Sequence, residues 1–165
     1  MRYPRFLGGQ DTRRLGWAGA HRRRTLLLMP NTQLLATQRI NPTTWNAPFR
    51  YDQAQLRPAP QQLLTVAGQG SVDADGVVLH EGDMTSQMAL AMGGVEDLLA
   101  AGGMDLRDVS RLVVYVTDVD AALAAYGAIT ERLEALDATP PTTLVEVTRL
   151  ALPGMAVEID ATAGR

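Results

Sequence analysis

The sequence contains no cysteine, and all 15 of its basic residues are arginine, so it contains no lysine either. These two absences exclude disulfides, thiol nucleophiles, Schiff-base lysines and the phosphate loop that depends on a lysine. Histidine is confined to His21 and His80, too few for a Cys/His zinc site. Aromatic residues make up 5% of the chain, and no apolar run approaches the roughly 20 residues that span a bilayer, so no membrane partner is expected. The remaining composition is ordinary: 165 residues, 46% hydrophobic, 20% charged, net charge −3. That is the balance of one globular domain, which at this length buries about 70% of its unfolded surface.

Charge divides the chain. Residues 1–30 carry seven arginines against Asp11, a balance of +6, whereas the rest sets eight arginines against seventeen acids, a balance of −9. In the basic segment Gly8, Gly9, Gly16 and Gly19 interrupt any helix, and Leu26 to Met29 is too short for a signal-peptide core. Secretion is therefore not expected, and a cytoplasmic location is. Three readings of residues 1–30 stand open: an extension upstream of a true initiator at Met29, a disordered basic tail, or a presequence or anion-binding arm. The acidic body disfavours a nucleic-acid partner.

The body alternates strands and helices. Leu63 to Ala67 and Val77 to Leu79 read as two antiparallel strands around Asp73-Ala74-Asp75-Gly76, where Asp-Gly signals a hairpin. Asp83 is placed to cap a helix whose Met84, Met88, Ala91, Met92, Val95, Leu98 and Leu99 recur at threes and fours up to Gly102-Gly103. Gly93-Gly94 within it would cost about 1 kcal/mol each relative to Ala, so close packing against a neighbour is expected. Leu112 to Val116 is the strongest strand. Asp118 or Asp120 then caps a second helix, with Leu123, Tyr126, Ile129, Leu133 and Leu136 on one side, and Pro140-Pro141 stops it. Strands at Thr143 to Leu150 and Val157 to Ala163 follow, joined around the turn dipeptide Pro153-Gly154. The order is ββαβαββ, an α+β unit with a mixed sheet and, by right-handed crossovers, both helices on one face.

The other face then needs a cover. Val113 and Tyr115 point away from Leu112, Val114 and Val116, and apolar surface of that kind ordinarily marks a subunit interface. Glu158, Asp160 and Thr162 alternate with Val157, Ile159 and Ala161 on the last strand. They read either as groups close to that interface or as solvated carboxylates of an edge strand.

Four segments in the same order and spacing resemble the RidA/YjgF family: Gly68-Gln69 closing a strand, Val113 to Asp120 before a helix, Val145-Glu146-Val147-Thr148-Arg149-Leu150, and Val157-Glu158-Ile159-Asp160-Ala161. The resemblance covers residues 39–163. It implies a chorismate-mutase-like fold and a homotrimer whose sheets form a central barrel, with clefts for a small-molecule ligand at the subunit interfaces and no cofactor. Members typically hydrolyse reactive enamines and imines such as 2-aminoacrylate to a keto acid and ammonia; some have been described as endoribonucleases or translation inhibitors.

The resemblance also implies site residues. Glu158 matches the family's glutamate on the last strand, which positions or activates water. Tyr51 matches the aromatic near the N-terminal strand, and Gly68 and Gln69 match the cleft wall. Tyr126 stands where many members have asparagine, and Thr142 where the family has the arginine that holds a substrate carboxylate. A charged hydrogen bond contributes about 1.5 to 3 kcal/mol, so the hydroxyl at position 142 implies affinity for an amino-acid-derived carboxylate weaker by roughly tenfold to a hundredfold. Arg50 and Arg57 flank Tyr51 and offer an anion contact from another direction, while Arg149 reads as structural, pairing Glu146 or a neighbouring subunit. His80 reads as a solvated turn residue and Trp45 as packing. The expectation is RidA-like deaminase chemistry on a small reactive metabolite other than 2-aminoacrylate. The alternative is a trimeric metabolite-binding or regulatory protein that uses the same clefts without turnover.

Overall fold

A computed structural model describes residues 36–165; the readings of residues 1–30 lie outside the described residues. The elements are β1 (Gln38–Ile40), β2 (Ala54–Leu56), β3 (Leu63–Gly70), α1 (Met84–Ala101), β4 (Val109–Val116), α2 (Val119–Ala125), α3 (Gly127–Ala135), β5 (Thr142–Glu146) and β6 (Val157–Gly164). The four longer strands form one mixed sheet in the order β3-β6-β4-β5, with β4 and β5 parallel and the other pairs antiparallel. The α+β unit read from the sequence is present. No described helix is long and apolar enough to cross a membrane.

The helices start where local chemistry dictates. The Asp83 carboxylate accepts a hydrogen bond from the Ser86 amide at 3.0 Å, and that of Asp118 one from the Ala121 amide at 2.9 Å. Each satisfies an amide that the first helical turn leaves without a partner. Met88, Ala91, Met92, Val95 and Leu99 of α1 are all fully buried against Val66, Leu112, Val114, Val116, Ile159 and Ala161 of the sheet. Burial of such side chains, at about 1.5 to 3 kcal/mol each for the larger ones, outweighs the weak helix propensity of a segment holding two glycines.

Three expectations are corrected. The expected strand at Val77–Leu79 contributes only one bridge, Val72 to Val78, because the antiparallel partner of β3 is β6. The last helix is two: α2 ends and α3 begins at Tyr126, whose ring stays buried in the core through the junction. The strand expected to reach Leu150 ends at Glu146, which spends its carboxylate on the Val119 amide at 2.9 Å. Of the paired glycines, only Gly94 is crowded, since a Cβ there would lie 3.2 Å from Gln69 Oε1, while Gly93 faces open space. Gly93→Ala should therefore raise stability by about 0.5 to 1 kcal/mol in urea unfolding, and Gly94→Ala should gain less because Gln69 has to shift.

A short N-terminal unit, β1 paired antiparallel with β2, is tied down by polar groups. Asp52 is 1% exposed and accepts from Arg39 Nε at 3.0 Å, Asn41 Nδ2 at 2.6 Å, Gln55 Nε2 at 2.8 Å and Thr139 Oγ1 at 2.8 Å. Its amide donates to the Thr139 carbonyl at 3.1 Å.

Candidate functional site

The sheet face opposite the helices carries no described helix. It presents Arg111, Val113 and Tyr115 from β4, Thr143 and Val145 from β5, and Glu158, Asp160 and Thr162 from β6, as the register requires. Val113 is buried among its neighbours, while Leu63 is 68% exposed and Val145 37%. The face is thus mixed, apolar at its margins and charged along β6. The Tyr115 hydroxyl donates to Asp160 Oδ2 at 3.0 Å. That bond, with burial and the nearby carboxylates, holds the phenol above its usual pKa despite the opposing charge of Arg111.

Glu158 is seated by a backbone irregularity in β3. The pairing of β3 with β6 slips between Val66 and Gln69, which turns consecutive residues Ala67 and Gly68 toward the open face. Glu158 occupies the volume that Gly68 leaves vacant: a Cβ built on Gly68 would lie 1.8 Å from Glu158 Oε1. Gln69 turns the opposite way. It packs on Gly94 of α1, and its amide donates to the Ala67 carbonyl at 2.9 Å. Gly68 and Glu158 are therefore together, and Gln69 supports the bulge from the helix side.

Tyr51, Tyr126 and Thr142 lie elsewhere. Tyr126 is buried at the α2–α3 junction, edge-on to Phe49 with ring centres 6.0 Å apart. Burial, with a smaller contribution from Tyr51, pushes its hydroxyl up to about 12, so it is a neutral donor at physiological pH. Tyr51 meets Trp45 edge-on at 6.1 Å, and Trp45 is 65% exposed, a solvent-facing aromatic rather than the packing residue expected. Thr142 opens β5 in register with Leu112, and its hydroxyl donates to the Pro140 carbonyl at 2.8 Å.

Gly68 is on one edge strand of the four-stranded sheet and Thr142 on the other. Three strand spacings, about 14 Å, separate those edges. Within one protomer Gly68 and Glu158 thus come together, while Thr142 stands on the far edge strand.

The arginines that offered an anion contact beside Tyr51 are engaged. Arg50 pairs with Asp137 at 3.1 Å. Arg57 donates to the carbonyls of Asp108 and Arg107, each at 2.6 Å, and to Gln55 Oε1 at 3.0 Å. Arg149 does not pair with Glu146, whose carboxylate caps α2 instead.

The family model described as Endoribonuclease L-PSP matches residues 44–164. The chain belongs to this family, the RidA/YjgF group. Among solved RidA/YjgF structures, a protein of unknown function of the Rid family, YyfB from Yersinia pestis, is 28% identical, with TM-score 0.68 over 79% of this chain and 100% of that one. Rv2704 from Mycobacterium tuberculosis is 27% identical, with TM-score 0.52 over 79% of this chain and 100% of that one. The YjgF gene product of E. coli is 25% identical, with TM-score 0.56 over 70% of this chain and 87% of that one. No curated protein matches the chain. Membership accounts for the mixed α+β architecture. Sequence reading undervalued Trp45, and gave no signal for the Tyr115–Asp160 pair because Tyr115 sits in an apolar strand.

Proposed function

We propose that this RidA/YjgF protein hydrolyses the C=N bond of a small reactive metabolite in a cleft between protomers, with Glu158 activating water. The reading rests above all on the Glu158 carboxylate lying in the volume vacated by Gly68 on the open face of the sheet. In that role the carboxylate takes a proton from water as the water oxygen bonds to the imine carbon, and passes that proton to the nitrogen as the C=N π bond breaks. The resulting carbinolamine then expels ammonia and leaves a carbonyl, so one water is consumed per ammonia released. Neighbouring copies bring Tyr51, Tyr126 and Thr142 of one protomer against Gly68 and Glu158 of the next, since Gly68 and Thr142 stand on opposite edge strands of a single chain, about 14 Å apart.

The substrate is one without an amino-acid α-carboxylate to anchor. With Thr142 bonded to its own chain and Arg50 and Arg57 committed to internal acceptors, the face offers no guanidinium in the family's usual place. RNA is disfavoured, since a body at −9 repels phosphate.

Ammonia release separates the possibilities. Neutral imines should turn over faster than 2-aminoacrylate by tenfold or more, and sizing in solution should return a trimer. Equal or better rates with 2-aminoacrylate would refute the substrate reading, and a monomer at micromolar concentration the cleft. If no imine is accelerated over buffer, binding without turnover is the better account; the self-bonded Thr142 hydroxyl favours that second reading.

A further inference from the structure

The loop between β5 and β6 encloses a pocket of about 310 Å³ against the end of β4. At about 30 Å³ per water, that is room for roughly ten waters, or for a short aliphatic molecule. Thr117, Thr148 and Arg149 supply its polar groups, and Leu150, Leu152 and Met155 its apolar wall. Arg149 is the only charged residue of the lining; the nearest acid on its rim is Glu81, whose carboxylate lies against Gly154. Arg149 forms no ion pair or side-chain hydrogen bond among the described residues, whereas Arg39, Arg50, Arg107 and Arg132 each pair with a carboxylate.

The pocket is held in shape before any ligand arrives. Gln87, fully buried on α1, clamps the loop from below: its Nε2 donates to the Gly154 carbonyl at 2.8 Å, and its Oε1 accepts from the Ala156 amide at 2.8 Å. The Ala156 carbonyl in turn accepts from the Thr117 amide at 3.0 Å, and the Met155 amide donates to the Leu152 carbonyl at 3.2 Å. With the backbone fixed on both sides of it, Met155 lies across Gly70, where an added Cβ would meet its methyl at 2.3 Å. Gly70 is in register with Glu158 on the neighbouring strand.

We propose that this pocket is a binding subsite for a small carboxylate with a short aliphatic chain. Arg149 and the two threonine hydroxyls hold the carboxylate, and Leu150, Leu152 and Met155 surround the chain. A lone arginine above an apolar, prearranged wall matches an amphipathic monoanion better than a neutral molecule, which leaves the charge unanswered, or a polyanion, which needs more cations. The subsite goes beyond the hydrolytic reading and stands whether or not Glu158 turns a substrate over.

Hexanoate and its neutral counterpart hexanamide are the probes, titrated into the full-length protein by calorimetry, with the methyl resonance of Met155 as a local reporter. Hexanoate should bind, shift the Met155 resonance and exceed hexanamide in affinity by at least tenfold. Arg149→Gln should remove that preference and Arg149→Lys should keep part of it. No binding at millimolar concentration, equal binding of the two probes, an unshifted Met155 resonance or full affinity in Arg149→Gln would overturn the proposal. Because hexanoate binding is read without turnover and imine turnover without hexanoate, failure of one reading is distinguishable from failure of the other.

Discussion

Asp52→Ala should lower stability by about 2 to 4 kcal/mol and the melting temperature by about 10 °C, the largest loss expected from any one polar side chain in the body. The carboxylate is 1% exposed and is shared by four side-chain donors, from Arg39, Asn41, Gln55 and Thr139. Thr139 is itself buried, so its hydroxyl would be left without a partner, whereas the half-exposed Arg39 can turn to water. That difference keeps the figure below the full cost of four broken bonds. Desolvation works against the ionised carboxyl, but the hydrogen bonds from Gln55, Asn41, Thr139 and Arg39 outweigh it and hold the group below its ordinary value. The sign follows: the folded protein binds this proton less readily than the unfolded chain. The contribution is complete above the unfolded value of about 3.9 and is lost as pH falls through the lower folded one. Asp52→Asn should keep part of the stability and flatten this acid limb. An unchanged urea midpoint in Asp52→Ala would remove the carboxylate from its structural role.

Gly68→Ala should cost imine turnover about a hundredfold while leaving the urea midpoint nearly unchanged. Gly68 is not among the glycines at positive φ, so its backbone accepts alanine. The added methyl would lie 1.8 Å from Glu158 Oε1 and would turn the carboxylate out of its seat. Positioned acid–base groups contribute about a hundredfold to ten-thousandfold, so Glu158→Gln should lose at least as much. In the double variant the losses should not add, because both substitutions remove the same seated carboxylate. Wild-type turnover in Gly68→Ala, or additive losses in the double variant, would sever the two residues. Where turnover is undetectable even in the parent, the same comparison is made on ligand affinity.

Sequence reading served best where burial has a period. β4, β6 and α1 show their inward positions as apolar residues at every second place or at threes and fours, and the Asp83 and Asp118 caps follow from carboxylates preceding those runs. The same periodicity hid the break at Tyr126, since Leu123, Tyr126, Ile129 and Leu133 keep their spacing across the junction. β1 and β2 left no apolar signal because Asp52, a hydrogen-bonding hub, holds them in place. At the site, Glu158 and Gly68 were legible through family resemblance, but not the slip between Val66 and Gln69 that seats one against the other. The pocket at Arg149 was illegible for a related reason. Its loop is held by Gln87 and its Met155 lies against Gly70, residues far away along the chain whose roles emerge only when the sheet is paired.

Strand order also sets a timetable for synthesis. β6 lies between β3 and β4, bonding Leu63 to Gly164 across a hundred residues, yet it follows every other strand in the chain. While the ribosome is still translating the first three-quarters of the body, β3 and α1 have only each other, and the apolar faces of β3 and β4 stay without their shared neighbour. Nascent protein should therefore depend on chaperone protection until β6 leaves the exit tunnel, when the sheet can close in one cooperative step.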